Sequence, residues 1–544
     1  MIPLESDVRR LLLISCMMTA TTPVFAQTID AKGADELART LSRYFGKTAI
    51  EKKILTVVPE ADNYRVTFST AKLLESLPKQ DFFKGDFGEY SLLTKPLADG
   101  SWNVTSTAMP GGSIETTTPT GRESVQWSID NANVSGIFDP KIGTFSKGSF
   151  SYGSFKMKST SPTQDVDASA NSAKGEFVGA AAAAGGVDVS NIQSAVDFQE
   201  TMVIKTPPPA DGTSTDGSAA APPSAPAEAL KVVIRGAELG VNAEGKGVRN
   251  LELLDLWAFF IAHSQEMKLK DTEQAELKTK LLAALPLWDK LSGAYHLADL
   301  GVETPLGAFA AKNISQELNF DGISKDGKYQ YALRTNGLKY PALPIPEWSV
   351  QFLPTDVELA FGTEGLDLDT IAKAAIADMD LNREKPFSDE FEANTATAFM
   401  INPPKLVINK SLVRTADTEL TVEGEVSFVA MKPESRTTWE MAGFDAALDR
   451  LTKASEQQPE IKDYIVFAKL AKDFGAQLPN GHIQWIVDQK ADGSVNINGN
   501  PVKGPDPVVE PGSDDTLDGG VTLDDNVINP DAQEDDQTDT PPAQ

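Results

Sequence analysis

Short segments that alternate apolar and polar residues recur along most of this chain, and they constrain its fold more than any other feature. The clearest are 64–68, 101–104, 125–129, 137–157, 329–333, 348–352, 357–361 and 420–428. Glycine, proline, asparagine and aspartate cluster between them at short intervals. Because alternation with a period of two gives a strand one apolar face, this pattern predicts a meander of antiparallel strands.

Segments with apolar residues at helical spacing interrupt the strands. They are 33–44, 251–263, 272–291, 370–379, 388–397, 437–454 and 461–475. Thr437 and Glu440 have the spacing of a capping box, and Gly475 is a typical helix end. Together the patterns predict a β-dominated α+β protein, with helical pairs packed against antiparallel meander sheets. One elongated curved-sheet scaffold is an arrangement that they allow.

The segment 251–263 is apolar on nearly every side, so we expect a buried helix with Asn250 as its N-cap. Leu253, Trp257 and Phe260 share one side of it, because residues three and four apart face the same way. Two roles are open for this helix. In a plain core, Trp257→Ala would cost about 3–5 kcal/mol, whereas in the wall of an apolar cleft it would cost much less.

The first 26 residues have the pattern of an export signal. Two arginines precede the apolar stretch 11–20, and small residues around Ala26 favour cleavage before Gln27. An alternative is a lipoprotein anchored at Cys16. Only five residues separate Arg10 from Cys16, fewer than the ~7 to 15 of an apolar h-region, so cleavage after Ala26 is favoured. We therefore expect a periplasmic or secreted protein.

Composition divides the rest of the chain into four parts. We expect a β-rich region over 27–205, a disordered Pro/Ala/Ser-rich segment over 206–229, an α+β region over 230–503 and a disordered acidic tail over 504–544. Alternating segments flank 206–229 on both sides. It is therefore either a long loop between strands of one sheet, which loop-closure entropy permits, or a linker between domains.

Charge and cysteine content disfavour several classes of function. The net charge is −29, and twelve acidic residues lie in 504–544, so bulk electrostatics argues against nucleic acid and anionic lipid surfaces as partners. Beyond residue 26, no stretch is long and apolar enough for a transmembrane helix. Cys16 is the only cysteine, so after cleavage at Ala26 packing alone would hold the core.

No pattern of catalytic, metal-binding or cofactor-binding residues stands out. The histidines are His263, His296 and His482. None has a metal-ligand spacing, and for His263 we expect contact with the carbonyl groups at a helix end. Two Ser-x-x-Lys matches, at Ser69 and Ser76, lack the other motifs of penicillin-recognising enzymes. The sequence therefore predicts no catalytic residue, no cofactor and no metal site, and the acidic tail lacks the spacing of a calcium loop.

The order of elements after residue 416 resembles a known family. An alternating strand pair ends over 418–428, two amphipathic helices follow, and 492–499 closes a hairpin. This layout is similar to the C-terminal part of the secreted alphaproteobacterial family catalogued as domain of unknown function 2125. The resemblance covers 416–502 and implies an exported, β-rich envelope protein, reminiscent of envelope proteins whose curved sheets accommodate lipid. It carries over no functional residue.

These observations predict a non-enzymatic envelope protein, either a scaffold or a binder of an apolar ligand, with a lipid or an envelope protein as its partner. They indicate no particular oligomeric state. The alternative class is a secreted hydrolase, because carboxylates are too numerous for the sequence to locate an acid and base pair. Lipid that co-purifies with the protein would favour the first class, and turnover of glycans or esters would favour the second.

Overall fold

The architecture is that of a computed structural model. It describes residues 29–507 apart from 47, 77–81, 107, 119–120, 206–229, 264–265, 267 and 457. The expected signal over 1–26, the segment 206–229 and all of the acidic tail beyond 507 lie outside the described residues. Strands account for 51% of the residues and helices for 23%, which confirms the β-dominated α+β class.

The chain begins with a helix and then forms strands, with helices between them. The helices are α1 (Ala31–Ser42), α2 (Thr70–Ser76), α3 (Asn250–His263), α4 (Asp271–Ala284), α5 (Glu347–Val350), α6 (Leu368–Asp378), α7 (Asp389–Ile401), α8 (Phe444–Ser455) and α9 (Ile461–Phe474). The first strands are β1 (Leu55–Glu60), β2 (Asn63–Ser69), β3 (Phe83–Asp86), β4 (Glu89–Pro96), β5 (Trp102–Ser106), β6 (Gly112–Thr118), β7 (Gly121–Asp130), β8 (Asn133–Asp139), β9 (Thr144–Thr160), β10 (Gln164–Ala181) and β11 (Val187–Ile204). The others are β12 (Leu230–Val248), β13 (Lys290–Thr304), β14 (Gly307–Asp321), β15 (Gly327–Asn336), β16 (Asp356–Leu366), β17 (Lys405–Arg414), β18 (Glu419–Val429), β19 (Lys432–Ala442), β20 (Ala476–Gln477), β21 (Ile483–Gln489), β22 (Val495–Ile497) and β23 (Asn500–Lys503).

From β9 to β19 the sheet is an antiparallel meander in which each strand pairs with the strands before and after it in sequence. β11 and β12, which flank the segment 206–229, pair along their whole length, from Ile204 opposite Leu230 to Val187 opposite Val248. Eleven strands spaced about 4.8 Å apart make this part of the sheet roughly 48 Å wide.

The sheet branches at its N-terminal end. β8 pairs with the first half of the long strand β9, and β7 pairs with the second half. One branch continues from β8 through β5, β4 and β2 to β1, and the other from β7 through β6 to β3. At the other end β19 pairs with β21, and β22 and β23 follow in the hairpin arrangement that the sequence predicts.

The largest buried core lies on the branch that ends at β1. α1 packs Leu37 and Leu41 against Tyr64, Val104 and Phe138, all of which are buried. The apolar stripe of α1 follows from leucines four residues apart, which lie on one helix face. This end of the sheet is therefore a closed helix-on-sheet core.

The predicted burial of 251–263 is wrong in part. α3 forms, and Leu256 and Phe259 are buried against α4, but Trp257 is 41% exposed. Its Nε1 donates a hydrogen bond to the carbonyl oxygen of Tyr44 at 3.0 Å. α3 thus packs on α4 and on the chain that follows α1, so Trp257 lies neither in a packed core nor on the face of the sheet.

Two boundaries near α3 also differ from the prediction. Asn250 lies inside the helix rather than at its N-cap, and its Nδ2 donates to the carbonyl oxygens of Ile142 and Gly143 at 3.3 and 3.0 Å. It therefore ties α3 to the connection between β8 and β9. α4 ends at Ala284 instead of continuing to residue 291, because Pro286 lacks the N–H that another helical turn needs.

Two other segments have a different structure from the predicted one. Residues 348–350 belong to α5 and 351–352 form a turn after it, so the predicted strand is absent; Pro344 and Pro346 precede the helix, and proline favours a helix start. Residues 437–442 belong to β19 rather than to a helix, and α8 begins after Gly443, whose φ is 72°. β19 pairs with both β18 and β21, and this pairing outweighs the local capping-box spacing. The predicted helix that ends before Gly475 is confirmed as α9.

Candidate functional site

The two faces of the sheet from β13 to β19 differ sharply in polarity. Directly paired residues of an antiparallel sheet have side chains on the same face, so the register assigns each residue to one face. One face, which we call the apolar face, carries Leu291, Tyr295, Leu297, Ile314, Leu318, Phe320, Tyr329, Tyr331, Leu333, Val357, Leu359, Phe361, Leu406, Ile408, Val413, Leu420, Val422, Val426, Trp439 and Met441. The opposite face carries Lys290, His296, Glu317, Lys328, Arg334, Glu358, Glu364, Lys405, Arg414, Glu419, Glu425, Glu434, Arg436 and Glu440.

Ion pairs connect strands across the charged face. Arg334 on β15 lies 2.5 Å from Glu317 on β14 and 3.7 Å from Glu358 on β16. Lys405 on β17 pairs with Glu425 on β18 at 2.7 Å. Such exposed pairs contribute little stability each, about 0–1 kcal/mol. Because of these ion pairs, the carboxylates already have cationic partners, as on an ordinary solvated surface.

The middle of the apolar face is not covered by any element of the described chain. Phe361 is 53% exposed, Leu359 43% and Leu318 38%. The helices instead pack mainly on one another: α3 on α4, α4 on α6, α6 on α7 and α8 on α9. These side chains form an exposed apolar surface within the part of the chain that the structure describes.

Helices close the apolar face at both ends. At the N-terminal end, α1 covers it in the core described above. At the other end Trp485 on β21 stands opposite Trp439, and its Nε1 donates to the carbonyl oxygen of Ala471 on α9 at 2.6 Å. The ring of Phe444 on α8 lies 5.9 Å from that of Trp485. We call the open surface between these ends the apolar groove.

The apolar face continues across β9–β12, where a row of bulges shifts its alternation by one residue. Ser172 on β10, Asp197 on β11 and Asp299 on β13 have φ values of 49°, 52° and 49°. On β10 the buried positions are 166, 168 and 170 before Ser172, and 173, 175 and 179 after it. Ala170 and Ala173 pack together in one cluster, so the apolar face is continuous through the bulges.

One row of this face contains a carboxylate. Glu200 on β11 is opposite Ala168 and Ile234, and the row continues to Val302 and Phe309. Burial raises the pKa of the Glu200 carboxyl. Burial, and then the charge of Glu200, raise the pKa of Tyr295.

Glu200 and Tyr295 lie on opposite sides of the row of bulges. Their partners on β12, Ile234 and Val241, are seven residues apart. The row of bulges lies between them, and bulges bend strands. The strands therefore bend between Glu200 and Tyr295.

Sequence analysis did not identify Glu200. The signal was present, because Phe198, Glu200 and Met202 alternate in one phase, and a carboxylate thus occupies a position where the pattern requires an apolar side chain. The sequence pattern did not reveal this position, because the bulge at Asp197 changes the phase of the alternation that the preceding residues establish.

A cleft of about 610 Å³ adjoins the end of this row. It is formed by the loop 338–355, with Tyr340, Leu343 and Val350 among its lining residues. The Tyr340 ring lies edge-on to Phe309 with 6.4 Å between ring centroids, and its hydroxyl donates to the carbonyl oxygen of Pro354 at 2.9 Å. The apolar row of Glu200 therefore leads into this cleft.

His263 pairs with a carboxylate rather than with the carbonyl groups expected at the helix end. Its Nδ1 lies 3.1 Å from Oε2 of Glu266, and its ring lies 4.4 Å from that of Phe259. Glu273 completes a group whose ligand atoms lie within 4.8 Å of one another, an arrangement that a metal ion could use. Lys270 already pairs with Glu273 at 2.7 Å, which accounts for that carboxylate without a metal.

The other residues singled out from the sequence have ordinary structural partners. His296 and His482 lie on the charged side of the sheet, near Glu238 at 3.9 Å and Glu440 at 2.6 Å. Ser69 is buried at the start of α2 and accepts a hydrogen bond from the backbone N–H of Lys72 at 3.4 Å. The second Ser-x-x-Lys match ends at residue 79, outside the described residues.

Within the part of the chain that the structure describes, no helix has the length and apolar character needed to cross a membrane. No protein-family model, curated protein or solved structure matches the chain.

Proposed function

We propose that this protein is an exported envelope protein that binds the hydrocarbon chain of a lipid in the apolar groove and acts without catalysis. The observation that carries the proposal is the continuous apolar face of β9–β19, whose large side chains stay exposed between two helix-covered ends. Export rests on the signal expected over 1–26.

Physical chemistry favours a chain-like apolar ligand for this surface. Burial of apolar area contributes roughly 25 cal/mol per Å², and a hydrocarbon chain covers area without requiring hydrogen bonds from the protein. The groove supplies rows of leucine and aromatic side chains, while its charged opposite face keeps the sheet in water. Sites of this kind bind by shape and apolar area, with a few polar groups for orientation.

The test places a single charge on one face or the other of the same strand, in separate variants. Leu359→Asp and Phe361→Asp put a carboxylate on the apolar face of β16, and Ala360→Asp puts the same group on the opposite face between them. The neutral probe is pyrene-labelled dodecanol, and its affinity is measured by fluorescence titration. We expect the first two variants to bind at least tenfold more weakly than the wild type and Ala360→Asp to bind as the wild type does.

Urea unfolding of each variant accompanies the titration, so that lost binding is separated from lost structure. Because residues 359 and 361 are about half exposed, we expect their variants to fold. Wild-type protein that binds no chain probe would refute the proposal. An equal loss of affinity in all three variants would also refute it, since the effect would then not depend on the face.

A further inference from the structure

Glu200 differs from every other residue of the face on which it lies. Away from the bulges, it is the one charged side chain on the apolar face of β9–β19 among the described residues. Its direct neighbours across the strands are Ala168 and Ile234, and Phe198 and Met202 flank it in phase along β11. The opposite face of the neighbouring strands β9, β10 and β12 carries charged side chains, such as Lys156, Asp167 and Arg235.

The carboxylate of Glu200 has no partner within the described chain. No described side chain or backbone N–H donates a hydrogen bond to it, and no described lysine or arginine forms an ion pair with it. Tyr295 is the titratable group that it influences across the bend of the sheet. A carboxylate held among apolar side chains is unfavourable unless a cation or a proton neutralises it.

We propose that Glu200 binds the ammonium group of an amphiphile whose hydrocarbon chain lies in the apolar groove. The inference rests on the proposed function, because it assigns the polar end of the same ligand. An ammonium group placed in this partly dehydrated site gains a strong charge-assisted hydrogen bond, whereas a carboxylate-headed ligand would be repelled. Burial of the hydrocarbon chain then provides the affinity, and Glu200 selects ligands with an ammonium head group.

The position of Glu200 suits this division of roles. The row from Glu200 through Ile234 and Val302 to Phe309 is apolar, and Tyr340 at its end lines the cleft of about 610 Å³. A ligand with its ammonium at Glu200 therefore has apolar surface in both directions, along the row and across the bend toward Tyr295.

The experiment compares three ligands with the same chain: dodecylammonium, dodecanol and dodecanoate, each titrated against wild type, Glu200→Gln and Glu244→Gln. Glu244 is exposed on the opposite face of β12 and serves as the matched control. We expect the wild type and Glu244→Gln to prefer dodecylammonium over dodecanol by at least tenfold. In Glu200→Gln this preference should fall to about threefold or less, with dodecanol affinity unchanged.

The outcomes separate this inference from the proposed function. Wild-type protein that binds none of the three ligands overturns both. Wild-type protein that binds dodecanol and dodecylammonium equally, or a preference that survives in Glu200→Gln, overturns the assignment of Glu200 alone.

A second arm identifies the source of the ammonium. Extraction of fluorescent phosphatidylethanolamine, in preference to phosphatidylglycerol, from phosphatidylcholine vesicles would support a membrane lipid as the ligand. Binding of dodecylammonium without such extraction would support a free alkylamine.

Discussion

Glu200 lies where an ionised group weakens the folded state. Burial raises its pKa above that of the unfolded chain, so folding disfavours the ionised form relative to the unfolded chain. For an acid whose pKa is raised by folding, the associated stability is fully present below the unfolded pKa, about 4.3 for glutamate, and is lost as pH rises through the folded pKa. Ala168 and Ile234 face it without titrating, and Tyr295 stays neutral in this range because its own pKa is raised.

We therefore expect Glu200→Gln to be more stable than the wild type at pH 7 and the difference to shrink as pH falls below about 4. Urea unfolding at both pH values measures it. Glu244→Gln, on the exposed face, should show no such pH-dependent difference. A Glu200→Gln protein that is less stable than the wild type at pH 7 would indicate that a stabilising partner holds the ionised carboxylate.

At this scale the sequence allowed only part of the site to be predicted. The alternation that places Leu359 and Phe361 on one face is visible in the sequence, since each strand carries its own period of two. The phase shifts at Ser172 and Asp197 are not, because few serine or aspartate residues adopt a positive φ and the sequence does not mark which ones do. Without those shifts, Glu200 is assigned to the wrong face.

The helix α3 is divided between buried and exposed aromatic residues, which gives a test at the scale of one element. Phe259 is 5% exposed, whereas Trp257 is 41% exposed. We expect Phe259→Ala to cost about 3–5 kcal/mol of unfolding free energy, as for a buried aromatic side chain. Trp257→Ala should cost about 1–2 kcal/mol, from partial packing and the hydrogen bond to the Tyr44 carbonyl.

Urea denaturation of the two variants measures this difference directly. Neither substitution should change the affinity for pyrene-labelled dodecanol, since α3 lies away from the apolar groove. Equal destabilisation by the two substitutions would contradict the assignment of Phe259 as buried and Trp257 as exposed. Weaker probe binding by Trp257→Ala would place α3 in the ligand site.

Elements were predictable where local pattern and tertiary pairing agree. α9 and the hairpin of β21 and β22 follow from periodicity and turn residues alone. β19 did not, because Thr437 and Glu440 suggest a capping box locally, whereas pairing on both sides stabilises a strand. A strand was wrongly predicted at α5. The alternating segment there is short, and the prolines before it favour the start of a helix.

On the scale of the whole molecule, the register of β11 and β12 makes a prediction about the connection between them. The two strands pair from Ile204 opposite Leu230 to Val187 opposite Val248. A protease site inserted within 206–229 and cut after folding should leave two fragments that co-elute in native buffer, because the sheet holds them. The same fragments should separate in urea. Separation in native buffer would mean that the two regions fold independently.

The general class was predictable because strand alternation, turn residues and helix spacing are local properties. The open, uncovered apolar face was not, since it depends on bulges that align across neighbouring strands and on where the helices pack. α3 illustrates this, because its apolar sequence predicts burial without revealing that α4 and the chain around Tyr44 cover it rather than the sheet.

The strictly sequential pairing of β9–β19 also bears on how such a groove can evolve. Each strand from β10 to β18 pairs only with the strands encoded beside it, so duplication of one hairpin there would widen the groove by about 10 Å without changing the partners of more than the two strands at the insertion. Loss of a hairpin would narrow it by the same step. The width of the groove is therefore set by the number of hairpins that the gene encodes, and unequal recombination can change that number.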